Sequence, residues 1–199
     1  MNSSVKKAPL FTAGVLECVE LTSEDLPGLQ RFFEENPAYF LAISGSVARP
    51  DEAREEFESV LPAEWSFEKQ WLLAFRREDG SMVGTAGLVS NLFAEGIWHI
   101  GLFIVATSLH GTGAAQTLYA ELESWMRTRG ARWVRLGVVE GNRRAERFWE
   151  RMGYVDLRRR IDVVMGDKVN NLRVMAKPLA NGTVSEYLGL VARDRPESP

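Results

Sequence analysis

The sequence predicts a mixed α/β fold in one domain, and three observations carry that prediction. Residues 14–21 (GVLECVEL) alternate apolar and polar side chains, as a half-buried strand does. Ile97–Val105 (IWHIGLFIV) is a nearly continuous apolar run, the pattern of a central strand covered on both faces. Residues 113–129 place Ala114, Ala115, Leu118, Leu122, Trp125 and Met126 at helical spacing, with Gly130 to end the helix. At 199 residues, with 45% hydrophobic and 26% charged side chains, the chain is long enough to bury one substantial core.

The remaining elements follow in chain order. Residues 1–13 read as a flexible leader, residues 14–178 as the domain, and residues 179–199, with Pro196 and Pro199, as a polar tail that is partly disordered. After the strand at 14–21, Thr22-Ser23-Glu24-Asp25 puts a hydroxyl cap ahead of carboxylates in a positive first turn. Leu26, Leu29, Phe32 and Phe33 give that helix its apolar face, and it stops before Asn36-Pro37. A second helix spans about residues 50–60, opened by Pro50-Asp51-Glu52 and followed by Pro62. Strands at 71–75 and 82–89 flank the turn Glu78-Asp79-Gly80-Ser81. Gly101 marks a bulge within the central strand. Trp133–Val139 is the next strand. Asn142 caps a helix with Ala145, Phe148, Trp149 and Met152 on its inner face, closed by Gly153. Strands at 154–160 and 169–177, joined near Gly166-Asp167, complete the order. No internal repeat and no second domain is visible.

Composition excludes several classes. A pI of about 5.6 gives no reason to expect nucleic acid or an anionic membrane as partner. Residues 1–99 hold 8 basic and 16 acidic side chains, whereas residues 100–199 hold 16 and 11. A basic half suits a polyphosphate ligand and an acidic half a cationic one, although solvated surface charge alone gives the same count. Cys18 is the only cysteine, which rules out an intrachain disulfide and fits a reducing cytoplasm. Two histidines, His99 and His110, are too few for an ordinary zinc site, so no metal is expected. No apolar run reaches the length of a membrane span, and the polar residues 1–7 lack a signal-peptide core; a soluble protein is expected.

The most informative segment joins the central strand to the strongest helix: Val105, then residues 106–109, then His110-Gly111-Thr112-Gly113-Ala114-Ala115. Small residues leave main-chain N–H groups approachable, and the helix N-terminus adds partial positive charge, which together can hold a phosphate. Glycines here also serve plain tight turns. The loop lacks the spacing of a dinucleotide fingerprint and the Gly-Lys-Ser/Thr of a P-loop.

With His110-Gly-Thr-Gly113-Ala-Ala115, the chain resembles the Q/R-x-x-G-x-G/A motif of the GNAT acetyltransferases. Asn142-x-x-Ala145-x-x-Phe148-Trp149-x-x-x-Gly153-Tyr154 resembles that family's N-x-x-A-x-x-(apolar)-Y-x-x-x-G-F/Y. The two lie one helix and one strand apart, the order that family shows. The resemblance covers residues 71–177 firmly and 14–62 loosely. It implies a mixed sheet splayed at the acyl-CoA site, and an N-acetyltransferase that uses acetyl-CoA without a metal. It further implies that Phe103, Ile104 and Val105 pair with pantetheine through their main chain. The loop from His110 through Gly111, Thr112, Gly113, Ala114 and Ala115 to Gln116 would bind the pyrophosphate, with Asn142 and Trp149 beside the cofactor arm.

The implied chemistry is direct attack of a primary amine on the thioester, with a backbone N–H stabilising the oxyanion. An alkyl ammonium must first lose a proton. His99 is the candidate base, placed on the central strand where several family members carry a catalytic Glu; a packed, satisfied histidine is the competing account. Glu95 and Glu140, at strand ends, are fallback bases. The chain departs from the family at Trp149, where Tyr often acts as general acid, because indole cannot exchange a proton usefully. Tyr119 and Tyr154 are substitutes, or packing residues. His110 replaces Gln or Arg, and Arg143, Arg144 and Arg147 could reach the CoA phosphates or simply face solvent. Tyr39 and Phe40, in the loop between the first two helices with Ser44 and Gly45, would wall the acceptor pocket. The acceptor is a small amine, an amino acid derivative or a peptide N-terminus, and Arg158–Arg160 are exposed strand charge by default, or else a substrate or homodimer surface. The rival function is a catalytically weak acyl-CoA-binding sensor or regulatory module.

Overall fold

The computed structural model describes residues 8–198. Most of the leader expected at 1–13 therefore lies outside the described residues, but its end is ordered: Phe11–Ala13 forms β1, pairing antiparallel with β2, Leu16–Glu20. Next come α1 (Leu26–Glu35), α2 (Ala38–Ile43) and α3 (Glu52–Glu58). Strands β3 (Lys69–Arg76), β4 (Met82–Ser90) and β5 (Ile97–Val105) follow, then α4 (Ala114–Thr128) and β6 (Trp133–Val139). The chain ends with α5 (Arg143–Arg151), β7 (Val155–Met165), β8 (Lys168–Pro178) and α6 (Val184–Leu190). The eight strands form one sheet in the order β1-β2-β3-β4-β5-β6-β8-β7. Only β5 and β6 pair in parallel, so the sheet is mixed, as the sequence predicts.

Strand alternation divides the core. One sheet face presents Leu73, Phe75, Leu88, Trp98, Ile100 and Val105 to α4 and α5, whose Leu118, Leu122, Met126 and Trp149 close over them. On the opposite face, α1 to α3 bury Leu29, Phe33, Phe40 and Ala53 on Leu72, Ala74, Leu102 and Ile104. Farther along that same face, Tyr187 of α6 packs on Ile97, Trp133, Val174 and Ala176. Between these two covers the sheet is open, and its floor there includes the exposed Gly101 and Gly137.

Two irregularities in β5 make the open ground. Gly87 pairs with Leu102 but Leu88 pairs with Ile100, so Gly101 stands unopposed as a bulge, as its sequence context predicts. Pairing between β5 and β6 runs from Ile97 with Trp133 to Ile100 with Leu136 and then ends, although both strands continue. Beyond the bulge the two strands part, leaving main-chain donors and acceptors of residues 101–105 facing a gap.

The polar tail expected at 179–199 is not what forms. Thr183 caps α6 with a reciprocal hydrogen bond to Glu186, and Tyr187 and Val191 are buried beneath it. Asp194 is 1% exposed and takes a bidentate ion pair from the buried Arg135, at 2.8 and 2.9 Å, while Tyr187 donates to it at 2.6 Å. The composition of the segment hid three anchoring side chains among polar ones. The loop expected between the first two helices is likewise corrected: Pro37 starts α2 rather than only ending α1. The β7–β8 hairpin reaches back to the end of α2, where Lys168 donates to the Leu41 carbonyl, Asn170 to Ile43 and the Asp167 amide to Ser44. No helix among the described residues is long and apolar enough to cross a membrane.

Candidate active site

A groove of about 870 Å³ lies where β5 and β6 part, bounded by the 106–113 loop, the start of α4, α5, and the corner between α1 and α2. Its strand wall is Phe103, Ile104 and Val105. Phe103 stacks on Phe148 and meets Tyr119 and Trp149, so α5 fixes the strand after it leaves β6.

The loop is built for close approach. Gly111 and Gly113 have φ of +82° and +87°, values that favour glycine, and a β-carbon at either would meet nothing within 4 Å. Among the described residues, the N–H groups of Gly111 and Gly113 have no acceptor, and the first N–H groups of α4 have none within the helix. The Ala114 N–H is turned to Thr112 Oγ1 at 3.3 Å and that of Gln116 to the Gly113 carbonyl, so the free donors are those of Gly111, Gly113 and Ala115, which with the helix dipole suit a pyrophosphate. His110, Gly111, Gly113, Ala115 and Gln116 line the groove; Thr112 and Ala114 do not, Thr112 instead donating its hydroxyl to the Leu109 carbonyl. His110 Nε2 donates to the Val105 carbonyl at 2.9 Å, tying the loop to the strand end. Partial burial, with Arg144 nearby, lowers its pKa and so disfavours the charged ring. Its contribution is therefore geometric, and the positive charge comes from α5, where Arg144 and Arg151 line the groove. Arg151 lay beyond the arginines that sequence reasoning weighed; its signal was the spacing of seven from Arg144 on one helix.

Asn142 caps α5 by accepting from the Ala145 amide at 3.3 Å and lines the groove beside Trp149. Tyr119 donates to Tyr154 at 2.9 Å, both are buried, and burial pushes both phenols up. Neither lines the groove. Tyr39 does, whereas Phe40 is buried behind it against Phe33, so its expected place in an acceptor wall is corrected. Asn36 is buried where the first helices meet the loop. It donates to the Phe32 carbonyl and accepts from the Thr107 amide at 2.7 Å, joining α1 to the phosphate-side loop. A buried asparagine before proline read only as a helix stop.

Of the proposed bases, His99 alone faces the open floor. Its Nδ1 stands 3.1 Å from the Arg135 carbonyl and 3.3 Å from Arg135 Nη1. A carbonyl only accepts, so the shorter contact assigns a proton to Nδ1 and leaves the Nε2 lone pair toward Gly101. Burial, then the Arg135 guanidinium, lower the pKa of the ring to about 3. The neutral ring can accept a hydrogen bond, but it does not retain a proton near neutrality. Glu140 is engaged with Arg159 at 2.9 Å, and Glu95 is exposed in the turn before β5, at the opposite end of that strand from the phosphate-side loop.

A sheet parted beside a glycine-rich loop that opens a helix defines the class: an acyl-CoA-dependent acyltransferase. A model of the acetyltransferase (GNAT) family matches residues 26–154, and the chain belongs to that family, as an N-acetyltransferase. No curated protein sequence matches the chain. Its fold is shared by the ribosomal-protein-S18-alanine N-acetyltransferase of Escherichia coli. That match has a TM-score of 0.62 and 15% identity, covering 85% of this chain and 97% of that one. The spermidine N-acetyltransferase of Vibrio cholerae, solved with CoA and spermine, has a TM-score of 0.63 and 16% identity, covering 83% and 96%. The ribosomal-protein-alanine N-acetyltransferase of Brucella melitensis has a TM-score of 0.60 and 22% identity, covering 81% and 99%.

Proposed function

We propose that this protein transfers the acetyl group of acetyl-CoA to a primary amine of a small molecule, amino acid derivative or peptide, in the cytoplasm. The observation that carries the reading is the parting of β5 and β6 directly beside the donor-lined Gly111–Gly113 turn. Acetyl-CoA supplies the activated acyl thioester. Main-chain groups of residues 101–105 would hold its extended arm, the turn and α4 its pyrophosphate, and Arg144 and Arg151 its remaining phosphate charge. Gly101 and Gly137 leave the floor of the opposite trough uncovered for an amine approaching across the sheet. His99 Nε2 can accept a hydrogen bond there and help orient it. No acid is required at Trp149, because a thiol of pKa near 8.5 leaves as thiolate and takes its proton from water.

The test is acetyl-CoA binding by calorimetry followed by amine-dependent thiol release. Micromolar binding with release is expected; binding without release from any amine favours the sensor reading, and no binding removes both. Gly113→Asp checks the loop specifically. A side chain at φ +87° costs about 1–2 kcal/mol, and its carboxylate would face the pyrophosphate. Affinity for acetyl-CoA should fall by at least about tenfold, a change of 1.4 kcal/mol. Unchanged affinity would place the cofactor elsewhere.

A further inference from the structure

Resting on this transferase reading, we propose that Glu56 receives the acceptor's ammonium group and takes its proton. No signal in the sequence singled it out, because α3 carries four glutamates within seven residues. The fold separates them. Glu52 and Glu55 both pair with Arg49, and Glu58 lies 4.0 Å from Arg54. Glu56 has neither an ion-pair nor a hydrogen-bond partner among the described residues and is half-buried. The buried Ala53, whose amide donates to Gln30 of α1 at 3.0 Å, turns this side of α3 onto the sheet.

What Glu56 faces is bare. Its Oε1 lies 3.1 Å from where a β-carbon on Gly87 would stand, and Gly87 is paired to Leu102, next to the Gly101 bulge. The carboxylate thus hangs over the place where β5 begins to leave β6. Tyr39, which lines the acyl-CoA groove, feels the charges of Glu56 and Glu52, so carboxylate and groove are neighbours. The titratable groups facing Glu56 are Glu52 on its own helix and Tyr39 on α2; the sheet offers Gly87 and Leu102, with His99 farther along the floor. Burial, then the Glu52 charge, raises the Glu56 pKa, which suits a group that must accept a proton and later release it. A half-buried carboxylate set against a glycine, with no cationic partner among the described residues, is satisfied by a cation.

The ammonium gives one proton to the Glu56 carboxylate. The freed nitrogen lone pair forms the N–C bond to the thioester carbonyl carbon, and the C–S bond breaks with its electron pair on sulfur. The second proton leaving nitrogen passes through water to the thiolate, and Glu56 returns its own proton to water. The product is an amide and CoA thiol.

The test uses Glu56→Gln, Glu56→Asp and Gly87→Ala with acetyl-CoA and a panel of spermidine, a short diamine, an amino acid amide and a dipeptide. Glu56→Gln is expected to melt with the wild type and to bind acetyl-CoA within twofold. Its kcat/KM for the best amine should fall by about 10²-fold or more, with loss of the acid limb of the pH profile. Glu56→Asp should restore part of the rate and that limb. Gly87→Ala, whose new methyl would press on Glu56 Oε1 and on Leu102 Cβ, each at 3.1 Å, should raise KM for the amine more than it changes acetyl-CoA affinity. A Gln variant with wild-type rate and pH profile overturns the proposal while the transferase reading stands. If acetyl-CoA binds but no amine is turned over, spermidine binding to the CoA-loaded protein decides: binding that is absent, or equal in wild type and Gln variant, overturns it. Failure of the wild type to bind acetyl-CoA overturns the transferase reading itself.

Discussion

The imidazole of His99 and the guanidinium of Arg135 share one patch of the sheet, 3.3 Å apart, with Asp194 holding the guanidinium from its far side. Holding the pKa of His99 near 3 has a thermodynamic signature. Between pH 3 and 6.5 the unfolded chain binds a proton at this histidine and the folded chain does not. Its contribution to stability is thus complete above about pH 6.5 and is lost as pH falls through that window. His99→Gln should flatten the decline of thermal stability between pH 6.5 and 4.5 relative to the wild type. The ring resonances of His99 should stay those of a neutral imidazole from pH 5 to 9. Titration of His99 near 6.5 would show that the ring is open to water and would return it to candidacy as the base. His99 was visible in the sequence as the one histidine on a central strand. What the sequence could not show was Arg135, 36 residues away, set beside it by the parallel pairing of β5 with β6.

The same limit governs whole elements. Strands β5 and β6, helix α4 and the Asn142-capped α5 were legible because apolar periodicity, glycine stops and a capping residue agreed within each segment. The side of the groove proposed for acyl-CoA is made largely from those segments, and the two motifs carry His110, Gly111, Gly113 and Ala115 of the loop and Asn142, Ala145, Phe148 and Trp149 of α5. The side proposed for the acceptor is made by packing between distant segments: α3 on α1, the β7–β8 hairpin on α2, α6 on the sheet. Its residues carry no local motif, which is why Glu56, Asn36 and the C-terminal anchor were missed. That anchor is testable. Asp194→Ala leaves the Arg135 guanidinium, 6% exposed, without its counter-ion, and breaking a buried pair from one side costs about 3–5 kcal/mol. At roughly 2–4 °C per kcal/mol for a chain of this size, the midpoint should drop by about 6–20 °C in a thermal scan. A drop under 2 °C would mean that the segment after β8 is not part of the cooperative fold.

At the scale of the molecule, the two sheet faces and the two charge-biased halves of the chain meet at the parted strands. The acidic N-terminal half supplies α1 to α3, which cover the face an amine would cross and include Glu56. The basic C-terminal half supplies α5, and Arg144 and Arg151 edge the groove proposed for acyl-CoA without any acidic partner among the described residues. Solvated surface charge would account for the bias but not for this sorting. Exposed guanidiniums act on a multiply charged ligand mostly through long-range attraction, which salt screens with a Debye length of about 10 Å at 0.1 M. Acetyl-CoA affinity should therefore fall as salt rises from 0.05 to 0.5 M. Arg144→Ala and Arg151→Ala should each weaken binding by roughly 3–10-fold at low salt, about 1 kcal/mol per contact, and flatten the salt dependence. The main-chain donors of the Gly113 turn are neutral and close to the ligand, so the binding that survives in the double variant should be nearly independent of salt. Calorimetry of the wild type and the double variant at two salt concentrations separates the two contributions. If the salt slopes are equal, the arginines face solvent, and the groove holds its ligand through the backbone alone.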